Sequence, residues 1–151
     1  MEEIFDLYSL SNPVLRTHVF WSSILMVKVL SMSIATGLKK KLGKKDDKAV
    51  KSKSKTTVSP VREDVERIRR AHMNDMENIY VFILVGWIYI LTNPHQWLAM
   101  TLIKAFSITR ILHTLVYAFA PIPQPTRFIF FIIGVTINVY MGVMVAKTFI
   151  N

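Results

Sequence analysis

The stretch Val65-Glu66-Arg67-Ile68-Arg69-Arg70-Ala71-His72-Met73-Asn74-Asp75-Met76-Glu77-Asn78 runs straight into the apolar residues 79–91, with no Gly or Pro between them. One helix is therefore expected, with a polar first half and a membrane-buried second half. At about 100° per residue, Arg70, Asn74 and Glu77 fall on one narrow face (i, i+4, i+7). That face offers a cation, an amide and a carboxylate where water ends. Polar groups at that depth turn toward a bundle interior or a polar cavity rather than lipid. They suit a guest that is small, polar and partly anionic.

The charge of the whole chain is distributed in a way that supports this reading. The 151 residues carry a formal net charge of +9, and the length fits one domain. Residues 39–55 hold nine lysines against Asp46 and Asp47, between apolar runs long enough to cross a bilayer. A nucleic-acid binder would spread its cations over a folded surface, so no nucleic-acid partner is expected. There is no cysteine, hence no disulfide framework, thiolate metal site or cysteine nucleophile. Any sulfur chemistry must use a thiol that a ligand brings. The first residues, Met1-Glu2-Glu3-Ile4-Phe5-Asp6, are acidic where a cleavable signal would be basic, so the first apolar run is expected to stay in the mature protein.

Before the opening stretch, residues 1–12 read as a short surface lead-in. Asn12 or Ser11 is expected to cap a helix that has Pro13 in its first turn. That helix is expected over residues 14–38, with a core of about 30 Å that matches the hydrocarbon thickness. Lys28 is the only charge in that core. It is expected to face an interhelical polar pocket or to snorkel. Residues 39–59 read as a hydrophilic loop, cytoplasmic by the positive-inside rule and attracted to anionic headgroups. The second helix is expected over 61–92, with Glu63, Asp64 and Glu66 near its positive end. Its apolar part is too short to span alone, which points to a bundle that shields it.

Beyond it, residues 92–95 form a turn. A third helix is expected over 96–119, where Arg110, His113 and Tyr117 share a face and Lys104 lies off it. A stiff loop with three prolines leads to a fourth helix over 127–149. The expected fold is an all-α membrane protein, a four-transmembrane-helix bundle in a single domain spanning 1–151. Four crossings would put both termini in the lumen, and Arg70 and Arg127 together on the cytoplasmic side.

Several chemistries are poorly supported. His18, His72, His95 and His113 show no paired ligand spacing, so no metal is expected. No Gly-x-Ser-x-Gly elbow and no Gly-rich phosphate cradle occurs. What remains is an anion pocket of Arg70, Arg110 and Arg127 with Asn74, Glu77, His113 and Tyr117. A competing reading makes these charges bundle-holding ion pairs, such as Glu66 with Arg70 or Asp75 with an arginine of a neighbouring helix.

These motifs carry a resemblance. The 65–78 stretch, Arg110-x-x-His113-x-x-x-Tyr117 and Pro123-Gln124-Pro125-Thr126-Arg127 follow the Lys28 helix in the order seen in MAPEG proteins, membrane-associated proteins of eicosanoid and glutathione metabolism. The chain is similar to that family over nearly its whole length. The resemblance implies a homotrimer with glutathione sites between neighbouring subunits. It implies glutathione as co-substrate, a hydrophobic electrophile or lipid hydroperoxide as second substrate, membrane lipid as surroundings, and no metal.

By the same resemblance, Arg70, Asn74 and Glu77 contact glutathione from the second helix, and His113 and Tyr117 from the third. Arg127 stands near the glutathione sulfur, with Tyr117 beside it as the second catalytic group. Arg110 and His72, which belong to the motifs, and Lys40, which takes the place of a family arginine at the end of the first helix, complete the implied glutathione-binding set. Lysine keeps that charge but loses the bidentate fork. The branch specialised for prostaglandin E synthesis carries Arg-Ser at the fourth helix and an arginine after the motif histidine. Here Arg127-Phe128 and Met73 stand there, which favours general glutathione transfer with peroxidase activity. The alternatives are a prostaglandin E synthase-like isomerase and a non-enzymatic lipid-binding relative. The implied location is the endoplasmic reticulum membrane, with the mitochondrial outer membrane as a second site.

Overall fold

The computed structural model describes the backbone of residues 2–50, 60–118 and 124–150, and the side chains of 5–41, 65–116 and 128–150. The described residues form five helices: α1 (Glu2–Leu7), α2 (Pro13–Val50), α3 (Pro60–Leu91), α4 (Gln96–Ala118) and α5 (Gln124–Ile150). The lead-in is thus partly helical. The ring of Tyr8, just after α1, stacks on Trp87, and its hydroxyl donates to the Trp87 carbonyl at 2.8 Å. Burial raises the Tyr8 phenol above its ordinary pKa.

The start of α2 follows from its cap. The Asn12 side-chain oxygen accepts from the Val14 N–H at 2.9 Å, and its amide donates to the Leu7 carbonyl at 2.8 Å. Asn12, rather than Ser11, therefore satisfies the first turn. The far end of α2 differs from expectation. The helix continues to Val50, through much of the stretch expected as loop. Lysine and alanine are good helix formers, and no proline occurs between Pro13 and Pro60 to stop them. The rest of that expected loop, residues 51–59, lies outside the described residues, as does the proline-rich stretch at 119–123.

The turn between α3 and α4 is built on Asn93, which has a positive φ of 47°. Asparagine tolerates that conformation at a helix end. Thr92 and Asn93 donate their N–H groups back to Tyr89 and Ile90, and His95 accepts from Ala99 to open α4.

Among the described residues, three helical segments are long and apolar enough to cross a membrane: Pro13–Lys41, Gln96–Val116 and Phe128–Ile150. The charges of its first half keep α3 out of that set. It is nonetheless the central element, packing on α2, α4 and α5. Its inward stripe is Ile68, Ala71, Asp75, Ile79, Phe82, Tyr89 and Ile90. Phe82 stacks on Phe106 of α4, with centroids 4.0 Å apart. The outer surface carries exposed Val27, Leu30, Ile34, Leu84 and Ile129, as suits a protein whose solvent is lipid.

Gly86 lets α2 approach α3. A methyl group there would overlap the ring of His18, which is fully buried and donates from Nε2 to the Ile83 carbonyl at 3.2 Å. A Cβ at Gly142 would meet open space. In a helix interior alanine is favoured over glycine by about 0.5–1 kcal/mol. Gly86→Ala is nevertheless expected to lower stability by about 1–3 kcal/mol through overpacking, while Gly142→Ala raises it slightly. Thermal unfolding in detergent checks both. Equal effects at the two positions would contradict this account of Gly86.

Candidate functional site

The polar site lies in the middle of the bundle. Lys28 stands halfway along the apolar segment of α2, and its side chain is only 14% exposed. Its Nζ donates to Oδ2 of Asp75 at 2.9 Å and to the Arg110 carbonyl at 2.8 Å. The Thr114 hydroxyl donates to the same Asp75 oxygen at 2.7 Å. Asp75 is fully buried. One ion pair with one hydroxyl thus joins α2, α3 and α4.

The polar chain continues through Arg110, which is fully buried. Its Nη2 donates to both the side-chain oxygen and the backbone carbonyl of Asn74, at 3.0 and 3.1 Å. The guanidinium also lies 6.0 Å from the Phe106 ring centroid, within cation–π range. Its stem passes Gly134 of α5, where an added Cβ would sit 3.3 Å from Cδ. A little further along, the Asn138 amide donates to the Asn78 carbonyl at 3.1 Å, tying α5 to α3. All four long helices therefore meet around one polar seam.

The expected site residues divide between this seam and the surface. Asn74 and Arg110 are brought together inside the bundle, and His113 is buried on α4, one turn beyond Arg110. Arg70 and Glu77 are exposed on the outer face of α3. His72 is half-buried, and Lys40 is exposed on α2. The side chains of Tyr117 and Arg127 lie outside the described residues. A single chain thus leaves Arg70 and Glu77 on a face turned away from its own core. Exposed Met73, Tyr80, Val81, Leu84 and Ile88 continue that face.

The alternative ion pairs resolve differently from expectation. Asp75 is paired with Lys28, not with an arginine. Glu66 accepts from Arg69 at 3.0 Å (i, i+3), not from Arg70. That pair is exposed and contributes little. Lys28, Asp75 and Thr114 are the residues that the site expectation left out. Asp75 occupies a position where the inward stripe of α3 otherwise demands an apolar residue, and that departure was readable. Among the described residues no group of three metal-ligating side chains converges.

A membrane-embedded helical bundle with a buried polar seam and a charged outer face is the class that fold and site define. The chain belongs to the MAPEG family, whose family-wide pattern matches residues 18–147. It is 34% identical over 139 residues to "Microsomal glutathione S-transferase 1" of Mus musculus, covering 88% of this chain and 89% of that protein. The same-named protein of Bos taurus is 34% identical over 145 residues, covering 92% and 93%. "Prostaglandin E synthase" of Homo sapiens is 33% identical over 113 residues, covering 72% of each.

Thr114→Val keeps the shape of the side chain and removes only the hydroxyl. The Asp75 carboxylate then loses a buried donor, which is expected to cost about 1.5–3 kcal/mol. Thermal unfolding in detergent measures the loss, and an unchanged transition would remove Thr114 from the network.

Proposed function

We propose that the chain is a membrane-bound glutathione transferase that conjugates glutathione to hydrophobic electrophiles and reduces lipid hydroperoxides with the same thiol. The observation that carries this reading is the state of Arg70 and Glu77. Other polar groups of that stretch, Asn74 and Asp75, are tied inward, whereas these two are exposed. They stand seven residues, about 10 Å, apart along α3. A cation and a carboxylate at that spacing suit a peptide-like molecule with separate carboxylate and amino ends. The similarity to proteins named as glutathione transferases agrees with it.

In this proposal Arg70 binds a carboxylate of glutathione, with Lys40 as a second cation, and Glu77 pairs with the α-amino group. Asn74 fixes the glutathione backbone. Its own orientation is set from behind by Arg110, so Arg110 acts as a positioning residue. His72 lines the site, and Tyr117 comes from the neighbouring subunit of a homotrimer; His113, buried one turn from Arg110 on the same α4, supports that neighbouring wall from within its own bundle. Arg127 and the Tyr117 hydroxyl face the sulfur.

A free thiol has a pKa of about 8.5, so little thiolate exists at neutral pH. A cation beside the sulfur favours the thiolate as it forms. That sulfur attacks the electrophilic carbon and expels the leaving group. With a hydroperoxide, two glutathione molecules supply two electrons and two protons. The products are glutathione disulfide, an alcohol and water. The hydrophobic partner arrives through the bilayer. In this reading α3 makes the fourth crossing, with its charged half shielded by subunit contacts. The basic segment then faces the cytosol and the termini face the lumen of the endoplasmic reticulum.

A second reading, a glutathione-dependent prostaglandin isomerase, is favoured by the likeness to prostaglandin E synthase. Met73 and Phe128, both exposed, stand against it, since neither can bind a polar substrate group.

The test is turnover of glutathione with 1-chloro-2,4-dinitrobenzene by detergent-solubilised protein, beside Arg127→Ala and Arg70→Ala. Wild-type protein is expected to turn over. Arg127→Ala is expected to lose about 10²–10³-fold in kcat while still binding glutathione, and Arg70→Ala to lose binding. Unchanged turnover in Arg127→Ala removes that residue from its role. No wild-type turnover and no glutathione binding would overturn the transferase reading, and efficient isomerisation of a prostaglandin endoperoxide would replace it with the second.

A further inference from the structure

A groove of about 840 Å³ lies where the first turns of α2 and α4 run side by side. Its walls are apolar and aromatic, with Phe20 and Trp21 from α2 and Met100 from α4. Two cations also line it, Arg16 of α2 and Lys104 of α4. No acidic residue lines the groove, and no described carboxylate pairs with either cation. Both cations are exposed.

Their depth gives the pair its meaning. Arg16 sits one turn inside α2. Lys104 sits eight residues below Gln96, about 12 Å into the apolar segment of α4. An ammonium at that depth is costly in hydrocarbon unless its head rises toward the interface or meets an anion. Lys28, at mid-depth in α2, meets Asp75 in this way. Among the described residues no carboxylate does the same for Lys104. The groove continues from these charges onto aromatic surface, so its ligand must be anionic at one end and apolar at the other.

We propose that this groove binds one anionic phospholipid of the surrounding leaflet, with its headgroup on Arg16 and Lys104 and an acyl chain along Phe20, Trp21 and Met100. The charge complementarity selects the head, and the apolar wall excludes a free phosphate. The site is separate from the outer face of α3. It lies at the Pro13 end of the bundle, and Lys40 and the basic segment lie at the other end of α2.

The test uses the full chain, delipidated and returned to nanodiscs. Brominated phosphatidylserine and brominated phosphatidylcholine are titrated as quenchers of Trp21, with Trp87 and Trp97 replaced by Phe. Two cations facing the headgroup predict roughly thirty-fold preference for the anionic lipid. Arg16→Gln with Lys104→Gln should abolish that preference and leave quenching by phosphatidylcholine unchanged. Neutralising Lys39, Lys40 and Lys41 should not alter it. Equal quenching by both lipids in the wild type overturns the proposal, as does a preference that survives the double substitution. Native mass spectrometry of the protein with its tryptophans intact provides a second reading. It should show one retained phosphatidylserine that the double substitution removes, and retention of uncharged lipid only would contradict the site.

Discussion

The ion pair between Lys28 and Asp75 is the interaction on which the rest of the bundle depends. It sits at mid-membrane depth, where either charge alone would be expensive. Each partner is the solution to the other's burial. The Thr114 hydroxyl joins the carboxylate, and Lys28 also reaches the Arg110 carbonyl. Three helices must therefore hold one relative height and rotation for the four groups to meet. Apolar packing between smooth Leu and Ile surfaces tolerates sliding, whereas this arrangement does not. Its contribution is chiefly one of register, because a buried pair of this kind adds little net stability over well-packed apolar residues.

Register at Asp75 is inherited by the neighbouring residue. Asn74 and Asp75 are about 100° apart on α3, so the helix presents one amide toward Arg110 and one carboxylate toward Lys28. With the inward face fixed, Arg70 and Glu77 are held on the outer face at a set depth. The same α3 residues thus connect a structural seam to a surface that has charge but no internal use for it. A site shared between subunits, as proposed, would account for that surplus. The fully buried Arg110 guanidinium has no hydrogen-bond partner for Nε or Nη1 among the described residues, while Nη2 holds Asn74.

Much of this was legible in the chain. The uninterrupted passage from 65–78 into 79–91 gave a single long helix, and the Asn12-Pro13 pair gave its predecessor's start. Lys28, the only charge in an apolar run, pointed to a polar pocket or to snorkelling, and the pairing with Asp75 decides for the pocket. The pairing itself was not legible. Lys28 and Asp75 are separated by 47 residues, and nothing local distinguishes a lysine partner from an arginine one. The continuation of α2 to Val50 was obscured by polarity, which suggests a loop even where helix propensity is good. The Gly86 and His18 contact is a matter of shape between two helices, and hydrophobic periodicity carries no record of it. The side chains of Tyr117 and Arg127 could be assigned by motif only.

The most direct measurement is a double-mutant cycle on the central pair: Lys28→Met, Asp75→Leu and the two together, followed by reversible unfolding in detergent. The account predicts that each single change costs about 3–5 kcal/mol, because it leaves a lone buried charge. The double change should cost less than either. Single effects that are small and simply add in the double variant would contradict it, and the register of the bundle would then have to come from apolar packing.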